Sequence, residues 1–121
     1  MIYSPLRYPG GKRKLSYFIS KICIKNQING CYVEPYAGGA SVALHLLIEG
    51  YVSKIIVNDI DRSIYSFWYS VLNQSSKLIN KIQTSEINIE TWNRCKNIQK
   101  VKDKADLFEL GFSTLFLNRT N

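Results

Sequence analysis

A turn that carries a carboxylate and two glycines is the most chemically informative stretch of the chain. The segment VEPYAGGASV, residues 33–42, places Glu34 ahead of Gly38 and Gly39, and an apolar run follows them. Glycines at such a point leave bare backbone that a ligand can approach closely. A second carboxylate, Asp59, follows 20 residues beyond Gly39.

The spacing of these residues favours a cofactor that contains a nucleoside. A carboxylate at the end of the second strand, where Asp59 lies, can accept hydrogen bonds from both hydroxyls of a ribose. The glycine pattern is not G-x-G-x-x-G, and Glu34 would repel a phosphate, so the turn is a poor pyrophosphate site. A cofactor with an amino group or a positive charge suits Glu34 better. The alternative is a plain tight turn at the glycines and a helix-entry role for Asp59.

Helix and strand signals alternate around this turn and predict an α/β fold. In the first helix Leu15, Phe18, Ile19 and Ile22 recur at helical spacing, which predicts an amphipathic helix with a basic outer face. Asp61 is placed to cap the helix after the second strand. The predicted helices are 12–24, 41–49, 62–72, 77–83, 90–100 and 104–117. The predicted strands are 31–35, which we expect to be buried, and 54–59.

A strand–helix–strand unit this short predicts a parallel pair of strands that the helix joins in a right-handed crossover. A parallel sheet of two strands is too small to stand alone or to bury both of its faces. We therefore expect further strands after residue 121 and an open sheet edge within this part of the chain.

The composition limits the number of domains, the location and the kinds of site that the chain can have. The 121 residues form one domain at most, and the longest apolar run is far too short for a membrane span, which predicts a cytoplasmic protein. The three cysteines have no CxxC pair, so we expect reduced thiols without a disulfide or a zinc ion. His45 is the only histidine and lies in an apolar helix, where packing is its expected role. The sequence predicts no metal site.

The charge is uneven along the chain, with an excess of basic residues in 1–31 and again in 77–104. The net charge is +7, and the first 31 residues contain six basic residues and no acidic one. Such a segment suits a polyanionic partner, with nucleic acid the first choice, but a solvated lysine-rich surface is equally compatible.

Four motifs carry a family resemblance. RYPGGK at 7–12, VEPYAGGASV at 33–42, VNDID at 57–61 and FLNRT at 116–120 resemble, in the same order, the Dam-like, D12-class N6-adenine DNA methyltransferases. The resemblance implies a Rossmann-like fold, S-adenosylmethionine as the cofactor and adenine in double-stranded DNA as the methyl acceptor. A role in restriction-modification or DNA marking follows from the same likeness.

The resemblance also implies site residues. Asp59 would hold the ribose, and the carboxylate of Glu34 would suit the positive charge of the sulfonium. The alternatives are a solvated Lys12 and a Tyr8 that only packs. The implied cofactor-binding residues are Tyr8, Lys12, Glu34, Tyr36, Gly38, Gly39 and Asp59. Asn118 and Arg119 are the implied DNA contacts, with helix packing as the alternative.

The family's catalytic (Asp/Asn)-Pro-Pro-(Tyr/Phe) motif does not occur in the 121 residues, whose only prolines are Pro5, Pro9 and Pro35. No catalytic residue is therefore assigned, and we expect no methyl transfer without a C-terminal portion or a partner chain. The predicted division is a cofactor-binding part over 1–75 and the helical start of a DNA-recognition region over 76–121. One alternative function is a non-catalytic basic DNA-binding module. Another is a nicotinamide-dependent enzyme, although the glycine pattern does not fit one.

Overall fold

A computed structural model of the chain describes residues 2–121, which form two compact units that divide after Asp59. The first unit (unit 1) contains both strands, and the second (unit 2) is helical. The elements are a 3-10 helix Lys12–Leu15, α1 Ser16–Lys25, β1 Cys31–Glu34, α2 Ser41–Ile48, β2 Lys54–Val57, α3 Arg62–Asn73, α4 Ser75–Thr84, α5 Ile89–Lys100 and α6 Leu107–Thr120.

The α/β class and the parallel pairing of the strands are confirmed. β1 and β2 pair in parallel, with Tyr32 opposite Ile55 and Glu34 opposite Val57. Each predicted helix is present. The first begins as the 3-10 helix Lys12–Leu15 before α1, and the ends of the others differ from the prediction by three residues or fewer. The division predicted at residue 75 concerns function, whereas the compact units are defined by packing. The predicted division therefore stays a prediction.

The core of unit 1 lies between its helices and one face of the sheet. α2 is apolar and ends before Gly50, whose φ of 77° permits the reversal of the chain into β2. Buried side chains from α1, α2 and the segment before β2 meet there, and aromatic and aliphatic side chains from the sheet pack on them. The buried members are Cys23, Val42, Leu46 and Val52, and Ile19, Tyr32, Tyr51 and Ile55 pack against them.

The prediction that the first strand is buried is wrong for one of its faces. Val33 and Ile56, which face each other across the pair, are 55% and 46% exposed. Successive side chains of a strand point to opposite faces, and the core described above covers only the face that holds Tyr32 and Ile55. The β-branched composition therefore identified the strands correctly but did not tell which face unit 1 covers.

The apolar stripe predicted for the first helix is also oriented differently from the simplest expectation. Leu15, Phe18 and Ile22 are exposed, and the side of α1 that is buried carries Ser20 and Cys23. The Ser20 hydroxyl donates to the Tyr17 carbonyl at 2.8 Å, so it can be buried without a partner on another element. Unit 1 therefore packs α1 through small residues and Ile19, and it leaves Phe18 and Ile22 at its surface.

In unit 2 a close crossing of α3 and α6 forms the centre. Gly111 of α6 lies so near α3 that a Cβ there would meet the Ser66 carbonyl oxygen at 2.5 Å and Ser70 Oγ at 2.6 Å. The predicted cap is confirmed, because the Asp61 carboxylate accepts from the Ser63 amide at 2.9 Å at the start of α3. Side-chain caps thus start α3, α5 and α6, and small residues bring α3 and α6 together.

Candidate functional site

The turns that follow the two strands are tied to each other by hydrogen bonds. The Gly38 amide donates to Asp59 Oδ2 at 2.8 Å, and the Ala37 amide donates to the Asn58 carbonyl at 2.8 Å. Both contacts lie at the carboxyl ends of β1 and β2, which is the edge where open α/β sheets bind ligands. The carboxylate predicted from spacing is therefore in direct contact with the predicted glycine turn.

The glycines of the turn accommodate the N-terminal loop. Gly38 has a φ of 49°, and a Cβ there would be 3.0 Å from the ring of Tyr8. A Cβ on Gly39 would be 2.8 Å from Ser4 Oγ and 3.3 Å from the Leu6 carbonyl oxygen. The bare backbone thus allows close approach, but the group that approaches in this structure is the chain itself. The family motifs contain neither Ser4 nor Leu6, and no sequence signal singled them out.

Lys12 connects the first motif to the second. Its ammonium donates to the Tyr36 carbonyl at 2.9 Å and lies 3.4 Å from Glu34 Oε1. A lysine in the first turn of a helix is unfavourable on its own, because the dipole there disfavours cations. The carbonyl and the carboxylate on the turn after β1 offset that cost and place the charge beside the turn.

Glu34 is a buried carboxylate with incomplete hydrogen bonding. It is 2% exposed, and neither of its oxygens accepts a hydrogen bond of standard geometry from residues 2–121. Burial raises the pKa of Glu34, while Lys12 and the backbone amide of Ala43 act in the opposite direction. Such a group gains from a positively charged ligand, because a second cation would favour its ionised form.

A cleft of 90 Å³ lies beside these residues. A site that encloses a whole cofactor measures roughly 300–1,000 Å³, so this cleft can hold only part of one. Of the predicted residues, Tyr8, Lys12, Tyr36 and Gly39 line it, while Glu34, Gly38 and Asp59 adjoin them through the contacts above. The lining residues that the sequence did not single out are Gly10, Gly11, Ala37, Ala40 and Ser41.

Comparison with known proteins identifies the family. A model of the D12 class N6 adenine-specific DNA methyltransferases matches residues 8–121. The chain belongs to this family. The resemblance inferred from the four motifs is thereby confirmed.

One curated relative of this D12 family member is the type II methyltransferase M.MjaIII of Methanocaldococcus jannaschii. It is 27% identical over 128 aligned residues, which cover 95% of this chain and 44% of the relative. The chain thus spans less than half the length of that relative. No solved structure matches the chain.

The two predicted DNA contacts of this D12 chain lie in unit 2. Asn118 and Arg119 are in the last turn of α6, where Asn118 is half-buried and Arg119 is exposed. The half-buried position of Asn118 is compatible with helix packing and with DNA contact. The role of both residues stays a prediction.

Other features of the family member bear on binding. Cys23, Cys31 and Cys95 are free, and Cys31 is exposed rather than packed as an apolar residue. Within residues 2–121, no cluster of three histidine, cysteine or acidic side chains is placed to hold a metal ion. The same residues include no helix with the length and apolar character that a bilayer crossing requires.

Proposed function

We propose that unit 1 is the cofactor-binding part of an S-adenosylmethionine-dependent enzyme that methylates N6 of adenine in double-stranded DNA. The observation that carries the proposal is the hydrogen bond between the Gly38 amide and Asp59, which joins the two strand-end motifs into one site. Family membership supports the reaction class. The Rossmann-like fold of the complete sheet belongs to the same proposal.

The side chains around the cleft fit the chemistry of this cofactor. S-adenosylmethionine would supply an electrophilic methyl group on a positively charged sulfur. Glu34 would favour that charge, and Asp59 would accept hydrogen bonds from the ribose hydroxyls. Tyr8, Lys12 and Tyr36 would border the bound molecule, and Gly38 and Gly39 would keep the backbone accessible to it. The small cleft volume agrees with a cofactor site that this chain forms only in part.

The methyl transfer step would need residues outside this chain. The (Asp/Asn)-Pro-Pro-(Tyr/Phe) motif of the family is not among the 121 residues, and M.MjaIII extends well beyond the aligned part. We therefore place the catalytic motif in a further segment or a partner chain. Residues 76–121 would begin the DNA-recognition region, with Asn118 and Arg119 touching DNA. Because M.MjaIII is named a type II methyltransferase, a restriction-modification role is proposed here too.

Calorimetric titration with S-adenosylmethionine tests the cofactor assignment. We expect saturable heat from the 121-residue chain and at least about tenfold weaker binding for Asp59→Asn, because the amide side chain accepts fewer hydrogen bonds. Asp103→Asn removes an exposed carboxylate of unit 2 and serves as the matched control, which should bind like the unaltered chain. Heat with NAD and none with S-adenosylmethionine would contradict the proposal.

A non-catalytic DNA-binding module is the second candidate, favoured by the six basic residues and no acidic residue in the first 31. Such a module would bind DNA with a steep salt dependence, and neither S-adenosylmethionine nor Lys12→Ala would change its affinity. A fluorescence anisotropy titration of labelled duplex at several salt concentrations distinguishes the two candidates.

A further inference from the structure

A second pocket of unit 1 contains polar groups that the proposed cofactor site does not use. It has a volume of 220 Å³ and is lined by Tyr3, Arg13, Ser16, Ser41 and His45 among others. Ser41 is the only residue that it shares with the cofactor cleft. The pocket therefore adjoins that cleft without being part of it.

Two buried polar atoms in residues of this pocket have no hydrogen-bond partner. Ser16 is 7% exposed, and its Oγ pairs with nothing in residues 2–121. The Nε2 atom of His45 is also buried and has no hydrogen-bond partner in residues 2–121. Buried polar groups in native proteins are nearly always satisfied by protein, water or a ligand. Two such atoms in residues of one pocket therefore indicate that a polar molecule completes the site.

The remaining groups favour an anion. Arg13 is exposed, and no carboxylate among residues 2–121 forms an ion pair with it. Ser41 is the first residue of α2, whose N-cap Ala40 has no side chain that could bond the helix amides. The carboxylate of Glu49 accepts a hydrogen bond from the hydroxyl of Tyr3, which lines the pocket. The pocket therefore offers a guanidinium, two serine hydroxyls and an imidazole, all of which can donate.

We propose that this pocket binds a phosphate group. A tetrahedral oxyanion has acceptors on every side, which suits the donors that Arg13, Ser16 and His45 bring to the lining of this pocket, and arginine is suited to phosphate by its planar fork of donors. The inference goes beyond the proposed function, because S-adenosylmethionine carries no phosphate. The phosphate belongs either to a small phosphorylated molecule or to the backbone of DNA, and the two share the same recognition chemistry.

Nitrogen–proton correlation NMR of the 121-residue chain tests the pocket. Inorganic phosphate and dimethyl phosphate are titrated separately at constant ionic strength, so that general screening is the same throughout. The variants are Arg13→Gln and Ser16→Ala, and the latter deletes a hydroxyl that makes no hydrogen bond in the fold. Lys14→Gln is the matched control, because it removes the same charge one residue away and lines neither pocket.

We expect saturable shifts of the Ser16, Ser41 and His45 signals, with affinity about tenfold lower in Arg13→Gln and clearly lower in Ser16→Ala. Lys14→Gln should bind like the unaltered chain. Equal affinity for both probes would assign the pocket to a phosphodiester, and a strong preference for inorganic phosphate would assign it to a phosphomonoester. The proposal is overturned if neither probe saturates, if Lys14→Gln weakens binding as much as Arg13→Gln, or if the shifts centre on Gly38.

Discussion

At the scale of single residues, Glu34 is the most unusual group in the chain. It is buried, and burial is the main cause of a pKa above the ordinary value of 4.5. Between 4.5 and its raised pKa, the native chain holds a proton that the unfolded chain has lost. The free energy of unfolding should therefore fall as the pH rises through that window, because the ionisation of Glu34 costs more free energy in the folded chain than in the unfolded chain.

Glu34→Gln should remove this dependence, since an amide does not titrate. We expect a flatter profile of unfolding free energy against pH than in the unaltered chain. The measurement is urea unfolding at a series of pH values, followed through the amide signals of β1 and α2. Glu90→Gln, at an exposed position of α5, is the control and should keep the original slope. An unchanged slope in Glu34→Gln would contradict the assignment of the raised pKa.

Sequence reasoning located the site better than it described its contacts. Spacing alone placed Asp59 and the Gly38 turn at one edge of the sheet, because parallel strands end together. It could not show that the Gly38 amide bonds Asp59 directly, nor that Lys12 reaches Glu34, because side-chain geometry depends on the loop that packs over the turn. Whether these residues bind the cofactor stays a prediction.

At the scale of elements, local signals set the helices and strands, while packing decides their faces. Asp61 capped α3 as predicted, since a cap depends on neighbours in the chain. The exposed face of Val33 and Ile56 could not be foreseen, because each follows another apolar residue in its strand and the pattern shows no alternation there. In the same way the small residues of α1 form its buried side, a choice that only the partner helix determines.

The crossing of α3 and α6 gives a prediction at this scale. Gly111→Ala should lower the free energy of unfolding by about 1–3 kcal/mol, the usual cost of overpacking. Alanine gains about 1 kcal/mol of helix propensity over glycine, but its Cβ would lie 2.5 Å from the Ser66 backbone oxygen, which cannot yield as a flexible side chain does. Denaturant unfolding followed by tryptophan fluorescence reports on unit 2, which contains both tryptophans.

The control for this substitution is Asn93→Ala, at an exposed position in α5. It should change stability by no more than about 0.5 kcal/mol, as surface substitutions usually do. If Gly111→Ala proved as stable as this control or more stable, the close helix crossing would not be the constraint that the distances indicate.

At the scale of the whole molecule, the chain combines the small cleft that we propose as a cofactor site with apolar surface that unit 1 does not cover. Val33 and Ile56 on the sheet and Phe18 on α1 are all exposed. Parallel sheets are normally covered on both faces, so these residues fit a fold that further chain completes. The alignment with 44% of M.MjaIII agrees with that interpretation.

The absence of the family's (Asp/Asn)-Pro-Pro-(Tyr/Phe) motif from the 121 residues predicts the outcome of an activity assay. Incubation of the 121-residue chain with methyl-tritiated S-adenosylmethionine and adenine-rich duplex DNA should leave the DNA unlabelled, even where calorimetry detects cofactor binding. The chain lacks the motif that would hold the adenine amino group in line with the methyl, so binding alone does not lower the barrier to transfer. Label that appears in the DNA and disappears in Asp59→Asn would contradict the prediction, because transfer would then depend on this chain's own cofactor site.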